Sequence, residues 1–133
     1  MEHMPSPISE SHAMQATLIG IPTDVGASRL GAAMGPDALR VAQLAPALQQ
    51  LGVAVNDLGN LAGPVNPRGG RDAQGLRNLA ECLHWNQIAH DAVLQVLQQS
   101  RLPIMLGGDH TLATGSISAI ARHCRATGKR LRV

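Results

Sequence analysis

Three short stretches constrain this chain most: Thr17-Leu18-Ile19-Gly20-Ile21-Pro22, Val53-Ala54-Val55-Asn56-Asp57-Leu58 and Leu102-Pro103-Ile104-Met105-Leu106. Each is largely apolar without the strict alternation of a half-solvated strand. Strands of that kind are buried on both faces, which is the habit of a parallel sheet. The segments between them read as helices. Gly35-Pro36-Asp37 opens one, with Pro at the first helical position and Asp in the first turn. Leu39, Ala42, Leu44, Leu48 and Leu51 would form its apolar side, Pro46 should kink or restart it, and Gly52 stops it. A longer helix is expected from about Leu76 to Gln99, with Cys82, Trp85, Ala89, Val93 and Val96 on one face. Thr111 can cap a last helix carrying Ile117, Ile120, Ala121 and Cys124 on one side and ended by Gly128. Alternating strands and helices predict an α/β fold, a three-layer αβα with a parallel sheet. It would run through three strands and the start of a fourth at Arg130–Val133, where the sequence looks cut.

Residues 1–15 carry Glu2, Glu10, Pro5 and Pro7 and no apolar core of a signal peptide, so they read as a loose tail before a domain at 16–133. No apolar run approaches the roughly 18 residues of a membrane span. With no Phe, no Tyr and one Trp, the core must be built from aliphatic residues. The net charge of +2 owes much to Arg122, Arg125, Lys129, Arg130 and Arg132. Without aromatic stacking residues these read as cations near a helix C-terminus, and a nucleic-acid partner is not expected. Cys82 and Cys124 fall on apolar helix faces and read as buried thiols in a cytosolic protein. From Gly59 to Gly75 the chain holds five Gly and two Pro, a long surface loop.

Ligands of open parallel sheets sit beyond the carboxyl ends of the strands. Gly107-Gly108-Asp109-His110 lies there, after the third strand. Two glycines allow a tight turn, and a carboxylate and an imidazole follow, both metal-ligand types. Adjacent residues do not easily face one ion, so one would coordinate while the other orients the loop. From spacing alone, a plain strand-to-helix turn with an incidental His accounts for the segment equally well. His3 and His12 lie in the tail, and His84 and His90 are six apart, on different helix faces, as solvated surface residues. His123 is far along the last helix. No HExxH and no CxxC pair occurs. Gly26 to Gly35 lacks the Lys-Ser or Lys-Thr of a phosphate loop and reads as a flexible connector.

The segment Met105-Leu106-Gly107-Gly108-Asp109-His110-Thr111-Leu112-Ala113-Thr114-Gly115-Ser116-Ile117-Ser118 resembles the first metal motif of the arginases, within the ureohydrolase (arginase/agmatinase) family. Ile19-Gly20-Ile21-Pro22, Gly31, Gly35-Pro36 with Leu39-Arg40, Leu51-Gly52 and Asp57-Leu58-Gly59-Asn60 agree in order and spacing. Gly115-Ser116-Ile117 resembles arginases more than agmatinases. The resemblance implies an arginase-like fold in which the second, first and third strands are neighbours in that order. It implies hydrolysis of the guanidinium of L-arginine to L-ornithine and urea at two Mn²⁺ ions, in a cytoplasmic homo-oligomer without a membrane partner. His110 stands at the position of a terminal ligand of one manganese, while Gly107, Gly108, Asp109 and Thr111 shape or support its loop. Thr111 replaces the commoner Ser and keeps a hydroxyl. The family's other ligands and catalytic groups fall past Val133, so no catalytic residue is expected within this chain. The rival readings are a catalytically silent fragment or interaction partner, and an agmatinase or other guanidino hydrolase.

Overall fold

The computed structural model describes residues 13–133. The tail expected at 1–15, with His3 and His12, thus lies almost wholly outside the described residues. The first strand already begins at Gln15. Three strands form one sheet: β1 (Gln15–Ile21), β2 (Ala54–Asn60) and β3 (Leu102–Gly107). Their order is β2-β1-β3, and both pairings are parallel. The parallel architecture is the one expected from the apolar runs, but the burial expected of all three strands holds for β1 alone: β2 is mostly exposed and β3 mostly half-buried. β1 is central and buried along nearly its whole length, as a strand flanked and covered on all sides must be. Arg130–Val133 joins no strand.

Four helices cover the sheet: α1 (Gly35–Val41), α2 (Leu44–Gln50), α3 (Leu79–Gln98) and α4 (Ala113–Thr127). Alternation along β1 sends Ile19 and Ile21 to one face, where they join Val25, Trp85, Ala89, Val93, Val96, Leu112 and Ala119 in the core. Helix α3 presents the face expected of it, with Trp85, Ala89, Val93 and Val96 all buried. The opposite face of β1 carries Leu18 and Gly20 toward α1.

Two helix readings need correction. The apolar side expected over 39–51 does not form as one stripe. The helix breaks at Gln43, which adopts left-handed backbone (φ 64), and α2 restarts with Pro46 in its first turn. A missing N–H costs nothing there. Across the break the stripe loses register, so Leu39 and Leu51 are exposed, the latter by 79 %. In α4 the inward residues are Gly115 and Ala119, with Ile120 at the core's margin and Ile117 exposed. The cause is close approach to α3. The Gly115 N–H donates to Asn86 Oδ1 (2.6 Å), and a Cβ on Gly115 would run into the Asn86 carbonyl.

The loop between β2 and α3 has the irregular path its glycines suggest, yet it is pinned. The Trp85 indole N–H donates to the Pro64 carbonyl (2.9 Å), and the ring lies flush on Gly63. Cys82 and Cys124 are free thiols, half-buried rather than fully buried.

Candidate functional site

β3 ends at Gly107, and the chain turns there into a short 3-10 segment, His110–Leu112, that leads into α4. The turn needs glycine at 108, and the packing beneath it needs glycine at 35. Gly108 has a φ of 83°, and a side chain there would meet the Ile21 carbonyl and the Leu112 side chain. Gly107 is crossed by α1: a Cβ at Gly35 would collide with the Gly107 carbonyl. The first turn of α1 therefore packs backbone to backbone under the loop.

Asp109 is the fixed point of the segment. Its carboxylate accepts from the Gly26 N–H (2.8 Å), from the Thr111 N–H (2.9 Å) and from the Thr111 hydroxyl. Its own N–H donates to the Thr23 carbonyl (3.0 Å). Asp109, not Thr111, is thus the capping residue. Both types cap well, and here the extended backbone of Asp109 (φ −78°, ψ 172°) puts its carboxylate over the orphan N–H groups. Thr111 becomes a donor to the cap.

His110 lies between these two braced residues and is exposed at the carboxyl edge of the sheet. Of the two adjacent groups, the carboxylate is consumed by backbone and hydroxyl donors, while the imidazole stands free of side-chain hydrogen bonds among the described residues. This arrangement fits one metal ligand and not a complete centre: among the described residues, no three His, Cys, Asp or Glu gather. His84 is exposed, as expected. His90 is not a solvated residue but half-buried, with Nδ1 3.0 Å from Asp91. That contact, with a second from Gln87, holds the Asp91 carboxyl below its usual range. Burial pushes the Cys82 thiol up, and the charge of nearby Asp109 adds to the effect. Cys82 is therefore a poor source of thiolate.

The connector from Gly26 to Gly35 is built rather than flexible, and residues outside it that sequence reasoning missed hold it in place. Asp24 is buried, and its carboxylate accepts from Asn66 Nδ2 (2.7 Å) and the Gly31 N–H (3.0 Å). Asn66 first, and the Gly31 amide second, keep its carboxyl below the usual range. Asn78, in left-handed backbone just before α3, donates to the Val25 carbonyl (2.8 Å) and to Asn66 Oδ1 (3.2 Å). Gly26 must be glycine because a Cβ would strike the Thr111 side chain. The available signal was the run of glycines itself, which marks close approach as readily as flexibility.

The fold is an open parallel α/β sheet, and in sheets of this kind ligands bind beyond the carboxyl ends of the strands, where the braced loop carries His110. Residues 14–133 match the Arginase family. The arginase of Agrobacterium fabrum is 34% identical over 120 residues, covering 90% of this chain and 37% of that protein. The arginase of Staphylococcus aureus strain MRSA252 is 39% identical over 113 residues, covering 84% of this chain and 37% of the relative. The solved arginase from Bacillus caldovelox superposes with a TM-score of 0.75 at 36% identity, covering 83% of this chain and 37% of that structure. The chain belongs to the arginase family, and it spans a little over a third of the length of the curated relatives it matches.

Proposed function

We propose that this chain is the N-terminal part of a manganese-dependent arginase, in which His110 supplies one ligand to a two-metal centre that hydrolyses L-arginine to L-ornithine and urea. The observation that carries the reading is the division of labour at Asp109-His110. One side chain is fully engaged in holding the loop, and its neighbour is left exposed at the sheet edge where ligands of this fold bind. Manganese accepts imidazole and carboxylate, and when bound it supplies Lewis acidity and an activated water near neutral pH. Within this chain, the task of the residues is positional. Gly108 lets the loop turn tightly, Asp109 and Thr111 fix its backbone, and His110 projects from it. The Gly115-Ser116-Ile117 continuation supports arginine over agmatine as substrate. Among the described residues no helix is long and apolar enough to cross a membrane, and a cytoplasmic homo-oligomer is the setting we propose for the whole enzyme.

The test is His110→Ala in a protein of the relatives' length. Bound manganese, measured by elemental analysis after gel filtration, should fall by about one ion per chain, and urea release should drop about a hundredfold, in the range of losses for catalytic-site electrostatics. Unchanged stoichiometry and turnover would remove His110 from the site.

A further inference from the structure

We propose that Asp24 and Asn66 are positioning residues for His110, acting through the turn Thr23–Gly26; the proposal rests on the ligand reading of His110. Four observations lead to it. His110 has no side-chain hydrogen bond of its own among the described residues, so its place is set by Asp109 and Thr111 on either side. Asp109 is gripped from outside its own loop at two points, through Thr23 O and Gly26 N, and both belong to one turn. That turn is held in place from behind by the carboxylate of Asp24, which ties it to Asn66 and, across the connector, to Gly31. Asn66 is fixed in turn by the Arg68 N–H (2.8 Å) within its own loop and by Asn78, which links it to the start of α3.

The buried carboxylate is satisfied by an amide and a peptide N–H, which offset the cost of its burial. Its effect is a rigid path from α3, the longest element of the fold, to the residue beside His110. Supports of this kind around a ligand commonly change metal affinity by 10–100-fold when removed. The hydrogen-bond roles also fix a specific rescue. Exchanging the two side chains keeps one amide donating to one carboxylate between positions 24 and 66. It still offers an acceptor to Gly31 on one side and to Asn78 and Arg68 on the other, and gives up only the longer bond from Asn66 Nδ2 to the Asp24 carbonyl (3.3 Å).

The 133-residue chain can be tested without metal by amide hydrogen exchange under NMR, comparing wild type, Asp24→Asn, and the exchanged pair Asp24→Asn with Asn66→Asp. Asp24→Asn sets two amide donors against each other. It should speed exchange about tenfold at Gly31, Gly26 and Thr111, leaving the amides of β1 and α3 unchanged, as for a local opening. The exchanged pair should return all three to wild-type rates. Faster exchange at Gly31 alone, with Gly26 and Thr111 unmoved, would overturn the proposal, because the device would end at its own turn. Failure of a folded exchanged pair to restore Thr111 would overturn it as well. Should Asp24→Asn not fold, Asn66→Ser breaks the same link from a half-buried loop position and is judged by the same three amides. Exchange is read in the absence of manganese. Failure here is therefore distinct from failure of the ligand reading, which the manganese stoichiometry of His110→Ala decides.

Discussion

Replacing Arg40 with Met tests how the first helix is held on the sheet. Arg40, in α1, reaches across to β2 and meets Asp57 as a fork on a fork, Nε to Oδ2 at 2.8 Å and Nη2 to Oδ1 at 2.9 Å. Nη1 donates to Asn60 Oδ1, and Asp37 lies 3.4 Å away. Methionine keeps the aliphatic stem and leaves Asp57 with the Gly59 N–H (2.8 Å) as its remaining hydrogen-bond donor. The two side chains are 23% and 32% exposed, so the pair is neither fully solvated nor buried. Exposed pairs contribute about 0.2–1 kcal/mol, and breaking a buried one costs about 3–5 kcal/mol. With screening discounted, we expect about 1–2 kcal/mol for this bidentate, partly covered pair. The pH dependence is a sharper check. Arg40 first, and the Gly59 amide after it, lower the Asp57 carboxyl from its ordinary value against the opposing pull of burial. A carboxylate with a depressed folded-state pKa stabilises fully above its unfolded value, near 3.9, and the contribution fades as pH falls through the folded value. The gap between wild type and Arg40→Met should therefore be constant from about pH 5 to pH 8 and shrink below about pH 4. Trp85, the sole tryptophan and 3% exposed, reports unfolding in urea by its fluorescence. Equal stabilities at pH 7, or a gap that widens in acid, would refute the reasoning.

Thr17→Val should stabilise the chain by about 1 kcal/mol in the same urea assay, since the Thr17 hydroxyl is buried in β1 with no hydrogen-bond partner among the described residues; a loss of stability would mean that the hydroxyl is satisfied. The 133-residue chain should release no urea from arginine in excess Mn²⁺, because one exposed imidazole does not make a two-metal site; release above a metal-only control, in a colorimetric assay, would contradict this. The outer edge of β3 pairs with no strand among the described residues, so the chain should self-associate, as unpaired edges do. A single monomeric species by light scattering up to the solubility limit would count against it.

The sheet was legible because parallel strands covered on both faces must be apolar along their length, and β1 shows it in six consecutive buried residues. The inward face of α3 was legible for the same kind of reason: a helical period read over 20 residues leaves little choice of face. Short elements gave less. Over the seven residues of α1 and the seven of α2, one left-handed residue at Gln43 undid the stripe, and Pro46 drew attention to a position where proline is harmless. In α4 the largest apolar residues suggested the buried face, but distance decided it. Gly115, with no Cβ, lets the helix lie against Asn86, and Ala119 is the other residue it buries.

The site divides along the same line, between what is local in sequence and what is not. That His110 stands past the end of β3 follows from six neighbouring residues, and the strand-to-helix turn could be read directly. That Asp109 holds the loop depends on Gly26, 83 residues earlier, and on a turn kept in shape by Asn66, 42 residues beyond Asp24. Neither separation leaves a periodic trace. The glycines at 26 and 35 were visible but ambiguous, since a residue without a side chain serves a mobile loop and a backbone crossing equally well. The collision each would cause if it carried a Cβ, with Thr111 for one and with the Gly107 carbonyl for the other, resolves the ambiguity. Both contacts converge on the five residues Gly107 to Thr111 from the connector that the sequence had suggested was slack. A loop braced there from outside can present an imidazole at a fixed place without using that imidazole to hold itself together, and this keeps His110 available for a ligand.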